Sequence, residues 1–106
     1  MGDAEVQCAR FLDFLPQVKF WVRNLVKKPA ASFSLQYEEG KFYPDFVAQL
    51  EDGRVVIVEY KGAHLEDYRQ TKQKTRVGSL WEARSNGRGV FLMVGVEDYQ
   101  SKLKAL

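Results

Sequence analysis

One cysteine, Cys8, and one histidine, His64, stand among 106 residues, which excludes an internal disulfide and a zinc centre built from cysteine and histidine. Any metal held by this chain must be held by oxygen. No apolar run approaches the roughly 20 residues of a membrane helix, and the first residues, Met1 to Glu5, carry acid where a secretory leader would carry base. A soluble, cytoplasmic protein is predicted. Charge of one sign is not in excess either: a net charge of +2 is too small to imply nucleic acid by itself. Gly87-Arg88-Gly89 lacks the Gly-Lys-Ser/Thr that would make it a phosphate loop, and reads as a turn. No repeat, linker or low-complexity segment is visible.

What is present is an ordinary globular mixture, 45% hydrophobic and 28% charged, sized for a single domain spanning residues 1–106 with one core. Asp3 is placed to cap a helix running to Leu15, stopped by Pro16, with Cys8, Ala9, Leu12 and Leu15 on its apolar face. Cys8 reads as a small core filler. Val18 to Leu25 alternates as a strand, and Phe33, Leu35 and Tyr37 alternate as another. Two further strand-like runs, Lys41 to Leu50 and Arg54 to Gly62, flank the turn signal Glu51-Asp52-Gly53. Both of their faces are largely apolar, which predicts strands in the middle of a sheet covered on both sides. Helical spacing follows from about Leu65 to Arg84, with Lys74, Gly78 and Trp81 in line. Val90 to Val94 reads as a short buried strand and Glu97 to Leu106 as a closing helix. The fold class predicted is α/β, a mixed central β-sheet flanked by helices, with a right-handed crossover between the hairpin and the last strand.

The most telling residues border the hairpin. Alternation places Tyr43, Asp45, Val47 and Gln49 on one face of the first run, and Val55, Ile57, Glu59 and Lys61 on one face of the second. A three-residue loop with Gly53 left-handed pairs Leu50 with Arg54 and brings Asp45 opposite Glu59, so the two carboxylates share a face. A two-residue loop would send them to opposite faces. The three-residue loop, or a bulge of equal parity, is the expectation.

Phosphodiester hydrolysis needs a cation to neutralise phosphate oxygens and acidify a water, and Mg²⁺ takes oxygen ligands, commonly one or two carboxylates. Asp45 and Glu59 meet that need. Lys61, two residues beyond Glu59 on the same face, is placed to position the attacking water or stabilise charge on the phosphate. Tyr60 points its side chain away and leaves its backbone carbonyl as a further oxygen ligand. The bland reading is an exposed acid and lysine worth a few tenths of a kcal/mol, but Glu59 and Lys61 continue an apolar stripe instead of interrupting a wet face. Glu5 lies in line with the core-facing stripe of the first helix; taken alone, it offsets the helix dipole. Arg69, Lys72, Lys74 and Arg76 form a basic run without an acid, either a solvated helix face or a phosphate contact. Trp21 and Trp81 read as packing residues, and His64 as a surface residue at a helix start.

Tyr43-Pro44-Asp45 followed by Glu59-Tyr60-Lys61 resembles the signature of the PD-(D/E)xK nuclease superfamily, whose restriction-endonuclease-like core runs α-β-β-β-α-β. The likeness is nearer to the C-terminal nuclease domain of type III restriction enzyme restriction subunits and related helicase-linked proteins. It rests also on Phe11-Leu12-Asp13, Val18 to Trp21 with Arg23-Asn24, Asp52-Gly53-Arg54, and Lys74 with Trp81, and it covers residues 5–94. The resemblance implies cleavage of DNA with Mg²⁺, or Mn²⁺ in its place, by catalytic residues Asp45, Glu59 and Lys61. It implies that Glu5 completes the metal environment of Asp45, Glu59 and the Tyr60 carbonyl, and that Lys74 contacts phosphate or supports the site. It also implies a restriction or helicase-linked setting, with a helicase or ATPase partner. No motor and no target-recognition element is present in these residues. A homodimer would suit cutting of two strands. The alternative is a catalytically inactive module of the same fold that binds DNA or protein.

Overall fold

The computed structural model describes residues 3–24, 33–37, 40–61 and 68–106, with the side chain of Tyr68 excepted. Among the described residues nine elements follow in chain order: α1 (Asp3–Phe14), β1 (Val18–Arg23), β2 (Leu35–Tyr37), β3 (Gly40–Phe42), β4 (Phe46–Leu50), β5 (Val55–Tyr60), α2 (Tyr68–Arg84), β6 (Gly89–Val94) and α3 (Tyr99–Lys104). Four strands form one sheet in the order β1-β4-β5-β6. The first three are antiparallel, while β6 joins β5 in parallel after passing through α2. A mixed sheet flanked by helices is therefore what the chain builds.

Alternation divides the sheet into two faces. Phe46, Ala48 and Leu50 of β4, Val56, Val58 and Tyr60 of β5, and Val94 of β6 are buried together with Cys8, Ala9, Leu12 and Leu15 from the α1 segment and Leu103 of α3. Fully burying aliphatic side chains of this kind is worth about 1.5–3 kcal/mol each, so this face anchors the fold. Phe11 of α1 meets Tyr99 of α3 edge to face, with ring centroids 5.7 Å apart.

The opposite face is covered by α2 and by β2 and β3. Here Gly78 lets α2 settle directly on Phe91, because a Cβ at that position would lie 2.5 Å from the phenyl ring. Gly89 does the same from the strand side, where a Cβ would stand 2.6 Å from the Trp81 indole. The line of Lys74, Gly78 and Trp81 visible in the sequence is thus the inner edge of α2.

Two strand expectations are corrected, and one helix start. Lys41 to Leu50 is not one strand: it breaks at Tyr43-Pro44-Asp45, so that β3 and β4 belong to different sheets. The strand expected at Phe33 to Tyr37 does not enter a continuous meander, since its β2 portion pairs with β3 as a separate two-stranded sheet. The cause is side-chain packing. Phe33 rests edge to face on Trp81 at 5.8 Å and Phe42 on Phe91 at 6.2 Å, so the small hairpin is held by α2 and β6 rather than by a strand ladder. Buried Asn24 ties its start down, donating from Nδ2 to the Phe33 carbonyl at 2.7 Å and accepting the Phe33 N–H at Oδ1 at 2.8 Å. The closing helix begins at Tyr99 rather than Glu97. Leu25, the start of the helix predicted from Leu65, His64 and Gly62 lie outside the described residues. No helix among the described residues is long and apolar enough to cross a membrane.

Candidate active site

The hairpin between β4 and β5 sets the register on which the site depends. Leu50 donates to the Arg54 carbonyl at 2.9 Å, and Gly53, at φ +94°, donates to the Leu50 carbonyl at 2.9 Å. Gln49 pairs with Val55, Ala48 with Val56, Val47 with Ile57 and Phe46 with Val58. The three-residue loop therefore forms, and continuing its register puts Asp45 across from Glu59.

Pro44 would be the next strand partner, across from Tyr60. It has no N–H to give the ladder, and β4 parts from β5 at this point. The Tyr60 N–H, left without its strand acceptor, donates instead to Asp45 Oδ2 at 2.7 Å. Meanwhile the Asp45 carbonyl accepts the Asn24 N–H at 2.8 Å, which holds the Asp45 backbone to the end of β1. Proline thus opens the sheet and aspartate fills the opening with a fixed carboxylate.

Glu59 faces α2 from the neighbouring strand and is only 5% exposed. Its Oε2 accepts a hydrogen bond from Lys74 Nζ at 3.1 Å, while its Oε1 is buried with no hydrogen-bond donor among the described residues. Burial pushes the Glu59 carboxyl up to about 8, and the charge of Asp45 adds to that displacement; Lys74 opposes it. Asp45 is also close enough for a carboxyl-to-carboxyl hydrogen bond that favours the protonated form. Two carboxyls forced together in a dry place can be relieved in two ways, by a shared proton or by a cation.

Lys61 follows Glu59 by two residues but is exposed, and its backbone N–H donates to the Val94 carbonyl at 2.7 Å. Its side chain lines an open cleft of about 460 Å³ with Thr75, Met93 and Lys102. Met93 is the strand partner of Glu59, so the cleft adjoins the carboxylate pair on the same face. Among the described residues, the cation in contact with Glu59 is Lys74, not Lys61. Sequence spacing along one strand could not find that pairing, because it depends on how α2 lies across the sheet. The signal that was available is the line from Lys74 through Gly78 to Trp81. Lys74 Nζ also stands 5.5 Å above the Phe42 ring, so hairpin and helix together seat the ammonium.

Glu5 is half-buried, and desolvation followed by the Asp45 charge raises its carboxyl above the usual range while Arg23 pulls it down. Of the two acids, Asp45 is the one whose charge reaches it. Yet among the described residues no three of His, Cys, Asp and Glu form a group able to hold a metal ion. The expected role of Glu5 as a third ligand is therefore not formed in this arrangement. Cys8 is fully buried beside the same charges, and its thiol is pushed up to about 12, chiefly by burial and then by Asp45 and Glu5. That agrees with a core filler. The Tyr60 side chain packs into the α1 face, leaving only its main chain toward the site. Asp45 and Glu59 fit a hard cation that keeps several waters, for which two carboxylates suffice.

The basic residues of α2 divide. Lys74 turns inward to Glu59, whereas Arg69, Lys72 and Arg76 are exposed and line a separate open cleft of about 610 Å³. No family model, curated protein or solved structure matches the chain.

Proposed function

We propose that the chain is a divalent-metal-dependent DNA nuclease module of the PD-(D/E)xK kind, with the restriction-endonuclease-like arrangement found in helicase-linked and type III restriction proteins. One observation carries this reading: Glu59 is buried beside the carboxyl of Asp45 where the sheet opens, and its Oε1 finds no hydrogen-bond donor among the described residues. Leaving such a group unsatisfied costs about 1–3 kcal/mol or more when charged, which a cation between the acids would remove. Asp45 and Glu59, with the Tyr60 carbonyl, are the groups that would hold Mg²⁺ or Mn²⁺. The bound ion would neutralise phosphate oxygens and make a water acidic enough to attack at neutral pH.

The chain's own residues do the rest. The Tyr60 N–H locks the Asp45 rotamer, so the carboxylate needs no reorganisation when substrate arrives. Lys61, exposed at the strand end, orients the attacking water and meets charge that develops on the phosphate. Lys74 keeps Glu59 poised by opposing its protonation. The exposed cations of α2 meet the DNA backbone. A second copy of the chain would supply the cut on the other strand, and a helicase or ATPase partner would deliver the substrate.

A non-catalytic module that binds DNA or protein is the second reading. It is favoured by the Lys74 ammonium on Glu59 together with the missing third acid among the described residues, an arrangement that also serves as a structural ion pair. Incubation with plasmid in Mg²⁺ or Mn²⁺, with and without chelator, separates the two. Cleavage is expected, lost on chelation and lost in Asp45→Ala and Glu59→Ala while fold and DNA affinity persist. Metal-independent nicking, or activity surviving in both variants, refutes the nuclease reading. Absence of cleavage, together with no shift in melting temperature on adding metal, favours the second.

A further inference from the structure

The outer side of α2 carries an arrangement that the carboxylate site does not use. Tyr37, at the end of β2, faces α2 across a cleft of about 250 Å³ formed with Arg76, Val77 and Leu80. The second cleft, lined by Arg69, Lys72 and Arg76, adjoins it through Arg76 and Gln73. An aromatic ring and two aliphatic side chains thus stand at one end of a row of exposed cations. The opposite side of the same helical turn carries Lys74, on Glu59, and Thr75, at the Lys61 cleft. An α-helix is about 10–12 Å across with its side chains, so the basic face and the side of α2 that meets Glu59 stand about that far apart.

We infer that this face is a track for a single DNA strand, with one unpaired base laid on Tyr37 and the adjoining phosphates met by Arg76, Lys72 and Arg69. The inference rests on the nuclease reading and names its substrate class as unpaired DNA, which includes the locally unpaired stretches of a supercoiled plasmid. Three considerations favour one strand over a duplex. Base faces are hidden in a duplex, so an aromatic and aliphatic platform is useful only to an unpaired base. The two clefts lie in line along one helix face, which suits a narrow backbone. The hairpin that presents Tyr37 is braced by Phe33 on Trp81 and Phe42 on Phe91, so the platform is set before the strand arrives.

Fluorescence anisotropy of a labelled oligothymidylate and of a duplex of equal length tests this, using the Glu59→Gln chain in chelator so that neither metal nor cleavage is required. The single strand is expected to bind at least about tenfold more tightly. Tyr37→Leu keeps the apolar bulk and removes the ring; it should weaken the single strand by about fivefold or more and leave the duplex unchanged, with Tyr37→Phe restoring affinity. Arg76→Gln should lower the slope of log affinity against log salt by about 0.7. Equal or tighter duplex binding, or Tyr37→Leu indistinguishable from the parent, overturns the inference even if plasmid cleavage is established. Polyglutamate binding as tightly and with the same dependence on Tyr37 would also overturn it, marking the face as a site for acidic peptide. If the strand binds as described while the parent chain cuts nothing, only the nuclease reading fails.

Discussion

Glu59→Gln should make the metal-free protein more stable, and the gain should depend on pH in a direction fixed by the site. In the unfolded chain this carboxyl ionises near its ordinary value of 4.5, whereas burial and Asp45 delay ionisation in the folded protein to about 8. Between those values the folded state binds the additional proton, so stability falls as pH rises through that window and levels off above it. Each unit of displacement is about 1.4 kcal/mol, which sets a ceiling on the order of 5 kcal/mol; partial relaxation of the site leaves an expected loss of roughly 2 kcal/mol or more. Glutamine carries no charge to desolvate, and its carbonyl oxygen still accepts from Lys74. In chelator at pH 5 the two proteins should melt within a few degrees of each other. At pH 9 the variant should melt about 10 °C higher, since 1 kcal/mol moves a domain of this size by about 4–8 °C. Saturating Mg²⁺ at pH 9 should narrow the gap by raising only the parent, by about 2.7 kcal/mol at a hundred times the dissociation constant. A gap that is equal at both pH values, or a parent that grows more stable with rising pH relative to the variant, would refute the account of the carboxylate pair.

Lys61→Ala should slow plasmid cleavage while the melting shift on adding metal persists, because its ammonium lies outside the carboxylate pair; loss of the metal shift would refute its role. Gly78→Ala should destabilise by about 1–3 kcal/mol despite the better helix propensity of alanine, since its Cβ would meet Phe91 at 2.5 Å; an unchanged urea midpoint would show that α2 does not sit this close.

Much of the site was legible because it obeys short-range rules. Gly53 fixes the loop, the loop fixes the register, and the register alone brings Asp45 opposite Glu59. What escaped was everything decided by packing at a distance. The break at Pro44 could have been anticipated, since continuing the register sets this proline across from Tyr60, where an N–H is needed. The separate hairpin of β2 and β3 could not, because it follows from the Phe33, Trp81, Phe42 and Phe91 contacts, which no local pattern announces. The same holds for Lys74. Its spacing set it in line with Gly78 and Trp81, but only the crossing of α2 over β5 decides that it reaches Glu59 while Lys61 remains in the cleft.

Gly78 and Gly89 have a further consequence for this arrangement. Because a side chain at either point would meet an aromatic ring, the height of α2 over the sheet is one that only glycine permits. Lys74, one turn before Gly78, inherits that fixity, so the gap between its ammonium and the Glu59 carboxylate is dimensioned by two absent side chains remote from the chemistry. Enlarging either residue would act like a shim beneath a lever and retune the acidity of a carboxyl that neither glycine touches.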